Sequence, residues 1–177
     1  MTEQASGLLM VLTGNGKGKT TSAIGQAIRA AGNGMKVCFI QFIKGGDWKS
    51  GERQVMERLA DLVDFRVMGR GFTWKSDDPE KDRALASEAW AFATDAITSG
   101  QYRMVVLDEF TYALNYGMVD QDKVLEVLEN RPPGVHIVIT GRDAPLELVD
   151  IADLVTEMRE VKHPYKKGIK AQRGIEF

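Results

Sequence analysis

The sequence predicts an α/β fold, one domain of three layers with a mostly parallel sheet of five to six strands. Three observations carry that expectation. Short apolar runs alternate with helical periodicity along the 177 residues, the pattern of βαβ units with right-handed crossovers. The runs are apolar throughout, as in strands buried on both faces. The first of them ends in Thr13-Gly14-Asn15-Gly16-Lys17-Gly18-Lys19-Thr20-Thr21, a loop of little side-chain bulk that opens a helix.

In chain order, Leu8–Leu12 reads as the first strand. Thr20 to Ala31 follows as a helix with Ile24, Ala27, Ile28 and Ala31 on one face, closed by Gly32-Asn33-Gly34. Val37–Phe42 is the second strand; Glu52–Leu62 is a helix with Val55, Met56 and Leu59 inward; Phe65–Met68 is a short third strand. Asp78 as N-cap and Pro79 at the first position start a helix that runs to Ser99. Its apolar stripe is Leu85, Ala89, Phe92, Ala93, Ala96 and Ile97. Met104–Leu107 is a fourth strand, Asp120–Asn130 a helix, and His136–Thr140 a fifth strand. A short helix from Pro145 to Ala152 and a sixth strand, Leu154–Met158, precede a basic, aperiodic tail over 160–177. Residues 1–6 are expected to be disordered, and no linker divides the chain, so 1–177 reads as one domain. Ligands of such sheets sit at the carboxyl ends of the strands. The loops 13–20, 41–51, 69–76, 108–117 and 141–144 therefore share one functional rim.

Bulk properties narrow the classes. Hydrophobic residues make up 44% and charged residues 27%, with a net charge of −2. That balance argues against a general nucleic-acid or membrane-surface binder. No apolar run approaches the ~18 residues of a membrane span, and the polar N-terminus lacks a signal-peptide pattern. A cytoplasmic protein is expected. Cys38 is the lone cysteine and lies in an apolar run, which suits a core residue better than a nucleophile.

The loop after the first strand carries the chemistry. Backbone N–H groups and the helix N-terminus form a cradle for a polyphosphate, with Lys19 on the outer phosphates and the Thr20 hydroxyl on Mg²⁺. Gly14, Asn15, Gly16, Lys17, Gly18 and Thr21 complete it. The usual P-loop pattern asks for glycine at 13, where this chain has Thr13, so its first glycine comes one residue late. A plain Gly-rich turn is the alternative. The fold expectation is accordingly P-loop NTPase-like (RecA-like).

Asp108 and Glu109 end an apolar strand, the context of an acid that holds the phosphate-bound metal. Helix capping is the other reading. As neighbours in an extended segment they point opposite ways, so only one faces the metal. Phe72 and Trp74 share one side if their loop is extended, either as a hydrophobic plug or as the wall for a flat ligand. Arg142 suits a phosphate contact or plain exposure. His136 reads as structural and His163 as part of a solvated basic cluster. Neither has partners at metal-ligand spacing, and no hydrolase triad or elbow is present.

Together these motifs resemble one family, the P-loop type of corrinoid adenosyltransferase, which acts on cob(I)alamin or cob(I)yrinic acid a,c-diamide. The resemblance rests on Thr13–Thr21, Gln41-Phe42-Ile43-Lys44-Gly45, Gly71-Phe72-Thr73-Trp74 and Val106-Leu107-Asp108-Glu109 with Thr111-Tyr112. Ile139-Thr140-Gly141-Arg142, Lys162-His163 and Lys170–Phe177 extend it to the C-terminus. It implies transfer of the 5′-deoxyadenosyl group of ATP to the cobalt of a reduced corrinoid, with release of triphosphate. ATP is a co-substrate with Mg²⁺, held by Thr20, Asp108 and Glu109, and lies in the opposite sense along its loop. Phe72 and Trp74 take the place of the corrinoid's lower axial ligand, and Arg29 lies near the nucleoside. A flavoprotein reductant, a homodimer, no nucleic acid and no membrane are implied as well. Some family members carry a longer N-terminal segment that closes over the site; about six residues precede the first strand here. The alternatives are a P-loop ATPase or small-molecule kinase attacked at the γ-phosphate, and a corrinoid- or nucleotide-binding module without turnover.

Overall fold

The computed structural model describes residues 6–43, 45, 50–71 and 78–176. Its elements are β1 (Leu9–Thr13), α1 (Lys19–Gly32), β2 (Val37–Gln41), α2 (Gly51–Met56), β3 (Val63–Val67), α3 (Pro79–Thr98) and β4 (Met104–Asp108). They continue as α4 (Phe110–Asn115), α5 (Gln121–Glu129), β5 (His136–Thr140), α6 (Leu146–Ile151) and β6 (Leu154–Glu157). Among the described residues the sheet has six strands in the order β3-β2-β4-β5-β1-β6, every neighbouring pair parallel.

Residue parity along the strands divides the core in two. Met10, Leu12, Phe39, Val106 and Val138 pack with Ala23 and Ala27 of α1 and Met56 of α2. Their sequence neighbours Leu9, Val11, Ile40, Leu107 and Ile139 face α3, α4, α5 and α6 instead, through Ala93, Phe110, Leu128 and Leu148. Helices on both faces satisfy the four central strands, β2, β4, β5 and β1, which are buried almost throughout, and the three expected layers result.

Several expected boundaries and faces differ. Within α1, Ala23, Ala27, Ala30 and Ala31 are buried, while Ile28 is 44% exposed. The small alanines let the helix approach the sheet closely, so its apolar stripe is rotated away from Ile28. Helix α2 stops at Met56 and tightens into a 3₁₀ turn over Glu57–Leu59, so β3 begins at Val63. Val55, expected inward, is 46% exposed. Helix α4 lies where 108–117 was expected as a loop; its six residues bury Phe110, Thr111, Ala113 and Leu114. One and a half turns are too few for periodicity to announce. The tail contains a 3₁₀ turn at Pro164–Lys167 and is otherwise irregular. No helix of the described residues is long and apolar enough to cross a membrane.

Local chemistry sets the ends. Asp78 accepts the Lys81 N–H at 3.1 Å with Pro79 at the helix start, and Asp120 caps α5 through Lys123. His136 is structural, its Nδ1 accepting the Leu8 N–H at 3.1 Å.

Cys38 is fully buried. Burial, helped by the negative charge of Asp64 and opposed by Arg66, pushes its thiol up to about 12. A thiol that is enclosed and protonated reacts only when exposed. At about pH 8 an aromatic disulfide reagent should therefore modify Cys38 at the unfolding rate, and its urea profile should overlay circular dichroism. Immediate labelling in plain buffer would contradict this burial.

Candidate functional site

Strand parity also builds the floor of the site. Gln41, Asp108 and Thr140 end β2, β4 and β5, adjacent strands, and all three follow the face that packs on α1. The register sets Gln41 opposite Asp108. Gln41 Nε2 donates to Asp108 Oδ2 at 3.0 Å and the Thr140 hydroxyl donates to Asp108 Oδ1 at 2.7 Å. The Glu109 N–H in turn donates to Thr140 Oγ1 at 2.9 Å. A fully buried carboxylate needs such donors, because losing water without them costs several kcal/mol.

The acidic pair is thereby divided, as expected of neighbours at a strand end. Asp108 is enclosed, whereas Glu109 turns out of the strand with φ 62° and lines a cleft of about 300 Å³ at the carboxyl ends of the strands. That left-handed backbone is uncommon for glutamate and is held by the Thr140 bond and the start of α4.

The glycine-rich loop forms one wall of this cleft, through Asn15, Gly16, Lys17, Gly18, Lys19, Thr20 and Thr21. Its glycines have steric reasons. A Cβ on Gly14 (φ 91°) would stand 2.6 Å from the Met158 carbonyl oxygen, and one on Gly16 would stand 2.7 Å from it. The Gly16 N–H donates to that same oxygen at 2.6 Å, and Met158 N–H donates to Thr13 O at 2.8 Å. Thr13, which stands where the usual pattern has glycine, accepts the Ala144 N–H through Oγ1 at 3.2 Å. The glycine at 14 instead of 13 thus follows from the backbone of residue 158 crossing the loop.

Lys19 Nζ folds back on the loop, donating to Gly14 O at 2.6 Å and Gly16 O at 2.8 Å. Burial lowers its pKa first, and the Arg142 guanidinium lowers it further; Glu109, Asp143 and Asp108 oppose them. Arg142 and Gly141 form a second wall with Thr140. Thr111 buttresses that wall, its hydroxyl donating to Arg142 O at 2.7 Å. Tyr112 adds to it, its phenol pushed up by burial. The tail supplies a third wall through His163, Ile175 and Glu176, and Lys17 pairs with Glu176 at 3.9 Å.

The structure therefore gathers Asn15 to Thr21, Glu109 and Arg142 of the expected residues. Gly14 stays buried behind the loop. Arg29 is not brought in: it lies on the last turn of α1, roughly 15 Å along the helix from Lys19, with Nη1 on Gln26 Oε1 at 3.3 Å. Phe72 and Trp74 lie outside the described residues. Their flanks are anchored on the same rim, Gly71 N–H on Ile43 O at 2.8 Å and Arg70 on the buried Asp82 at 2.8 Å. Met158 and the wall-forming roles of Glu176 and Thr140 escaped sequence reading; strand parity would have revealed Thr140.

Thr20 and Glu109 are hard oxygen donors, which fit Mg²⁺. Among the described residues no three His, Cys, Asp or Glu side chains form a metal group. A larger cleft of about 510 Å³ lies along β3 under the amino ends of β2 and β4. There Asp64 already accepts from Arg66 Nε at 2.6 Å and the Tyr102 hydroxyl at 2.9 Å.

Thr140→Val keeps the shape and removes the hydroxyl, leaving Asp108 and the Glu109 N–H each short of a bond. The expected loss is about 1–3 kcal/mol by urea denaturation, against less than about 1 for Thr140→Ser. Equal losses would show that the hydroxyl is not what holds this floor.

Residues 5–177 match the family described as ATP:corrinoid adenosyltransferase BtuR/CobO/CobP. The corrinoid adenosyltransferase of Pseudomonas aeruginosa is 46% identical over 171 residues, covering 97% of this chain and 84% of that one. Its counterpart in Escherichia coli K12 is 43% identical over 171 residues, covering 97% and 86%. The Salmonella typhimurium protein is 42% identical over 175 residues, covering 99% and 88%. A phosphate-type loop, an acidic strand end and matches of this length all agree: the chain belongs to the corrinoid adenosyltransferase family.

Proposed function

We propose that this enzyme transfers the 5′-deoxyadenosyl group of ATP to the Co(I) of a reduced corrinoid and releases triphosphate. One observation carries the reading most: Lys17, Lys19 and Arg142 line a single cleft with the glycine-rich loop, in a chain of this family. The cobalt lone pair attacks C5′, the C5′–O bond breaks, and triphosphate leaves with the bonding electrons. Cobalt supplies the nucleophile, so the protein needs none of its own.

The protein's task is orientation and charge. Lys19 exchanges its two loop carbonyls for phosphate oxygens, and a polyanion between Lys19 and Arg142 relieves the repulsion that helps depress the Lys19 pKa. Thr20 and Glu109 would hold Mg²⁺, whose charge would offset that of the leaving triphosphate. Asp108 acts behind them, since its oxygens are engaged by Gln41 and Thr140. With ATP reversed along the loop, C5′ opens toward the corrinoid and in-line attack becomes a matter of proximity. Phe72 and Trp74 present an apolar face in place of the lower axial ligand, which eases reduction of Co(II) by a flavoprotein. A cytoplasmic homodimer completes the proposal.

Anaerobic incubation with ATP, Mg²⁺ and chemically reduced corrinoid should yield triphosphate and a light-sensitive Co–C spectrum. ADP with no alkylcorrin would favour a γ-phosphate enzyme instead. For Phe72→Ala with Trp74→Ala, activity should fall far more when Co(II) must be reduced on the enzyme than when Co(I) is supplied. Equal losses would remove the axial-ligand role.

A further inference from the structure

One short helix joins the acidic and the basic sides of the cleft. Helix α4 starts directly after Glu109 and ends at Asn115, six residues and about 9 Å later. The Asn115 amide is turned onto the loop that follows β5. Its Nδ2 donates to Asp143 O at 3.0 Å and to Arg142 O at 3.3 Å. An amide nitrogen carries two hydrogens, so both carbonyls can be held at once.

These bonds close a ring. Thr140 at the end of β5 accepts the Glu109 N–H, α4 runs from Glu109 to Asn115, and Asn115 grips the two residues that come next but one after Thr140. Glu109 and Arg142 both line the cleft, and each is fixed on this one closed path. The gripped loop is not one that its backbone holds unaided. Asp143 has φ 51°, a left-handed conformation that a residue with a Cβ keeps only when its surroundings impose it. On the near side a Cβ at Gly141 would stand 1.9 Å from Thr111 Oγ1, so α4 presses on the loop without slack. On the far side the Ala144 N–H is tied to Thr13 Oγ1 at 3.2 Å, at the start of the glycine-rich loop. The Arg142 guanidinium stands near enough to Lys19 to help depress its pKa.

Asn115 itself is exposed. Water can serve both carbonyls when its amide is removed, so these bonds matter little to the stability of the fold. What they fix is the course of the loop. We propose that Asn115 is a positioning residue: it sets where Arg142 stands relative to Lys19 and Glu109, so that the guanidinium meets the departing triphosphate. The inference rests on the ATP reading above and adds the element that keeps the arginine in place as charge develops on the leaving group.

The test is a double-mutant cycle. Anaerobic adenosylation with ATP, Mg²⁺ and chemically reduced corrinoid is followed for the wild type, Asn115→Ala, Arg142→Ala and the double variant, with a urea midpoint for each. Asn115→Ala should lower kcat/KM for ATP about three- to tenfold, the size of one hydrogen bond, with a midpoint close to that of the wild type. In the Arg142→Ala background the same change should cost less than about twofold, because its effect passes through the arginine. Asn115→Gln keeps the amide and should recover part of the loss. If the two single losses multiply in the double variant, Asn115 acts on something other than Arg142 and the inference fails. It fails equally if Asn115→Ala is fully active, or if its midpoint falls together with its activity. A wild type that forms no alkylcorrin would overturn the ATP reading itself.

Discussion

The buried carboxylate of Asp108 is the constraint on which the site depends. A charge with no solvent access is stable only when donors surround it. The two donors seen, Gln41 and Thr140, come from the strands on either side of β4. Meeting that need locks the carboxyl ends of β2, β4 and β5 into one row. The same hydroxyl then takes the Glu109 N–H and turns that residue out of the sheet. An electrostatic demand in the interior thus becomes a geometric instruction at the surface. This is why a strand end, and no flexible loop, carries the acidic group facing the cleft.

The phosphate loop is governed by a second constraint, close approach of backbone. Gly14 and Gly16 leave no room for a side chain because residue 158 passes over them. Sequence comparison with the usual loop makes the late glycine look like a functional departure. The geometry supplies a packing cause, and the two accounts are compatible: a loop tied to a neighbouring backbone presents a different set of N–H groups. Gly16, for one, has its N–H engaged by Met158.

Most of the fold was legible because the central strands are apolar runs, three of them ended by glycine or acid, and because α3 and α5 carry ordinary caps. What escaped had physical reasons. Helix α4 is too short to show a period, Ile28 misled because alanine-rich packing rotates the buried face of α1 away from its largest residues, and Val55 misled because α2 stops at Met56, the residue it buries. Within the site, Lys19, Thr20 and Glu109 were readable from local pattern. Thr140 acts through strands distant in sequence, and the approach of Met158 and Glu176 depends on where the tail travels after β6. No local pattern encodes that route.

The crossing of Met158 over Gly16 has a consequence for how the chain comes into being. Strand β1 is made first, yet its sheet partners β5 and β6 are made last. Until residues 136–140 have left the ribosome the first strand has no neighbour, and until about residue 158 the loop after it has nothing to close upon. Parallel pairing over such separations is intrinsically slow. An apolar segment must therefore wait unpaired while the intervening strands and helices are made, a period in which such chains are prone to aggregate. The glycine-rich loop therefore takes its final form only once the backbone of residue 158 has crossed it, and a nascent product cut short before that residue lacks the contact that sets the loop.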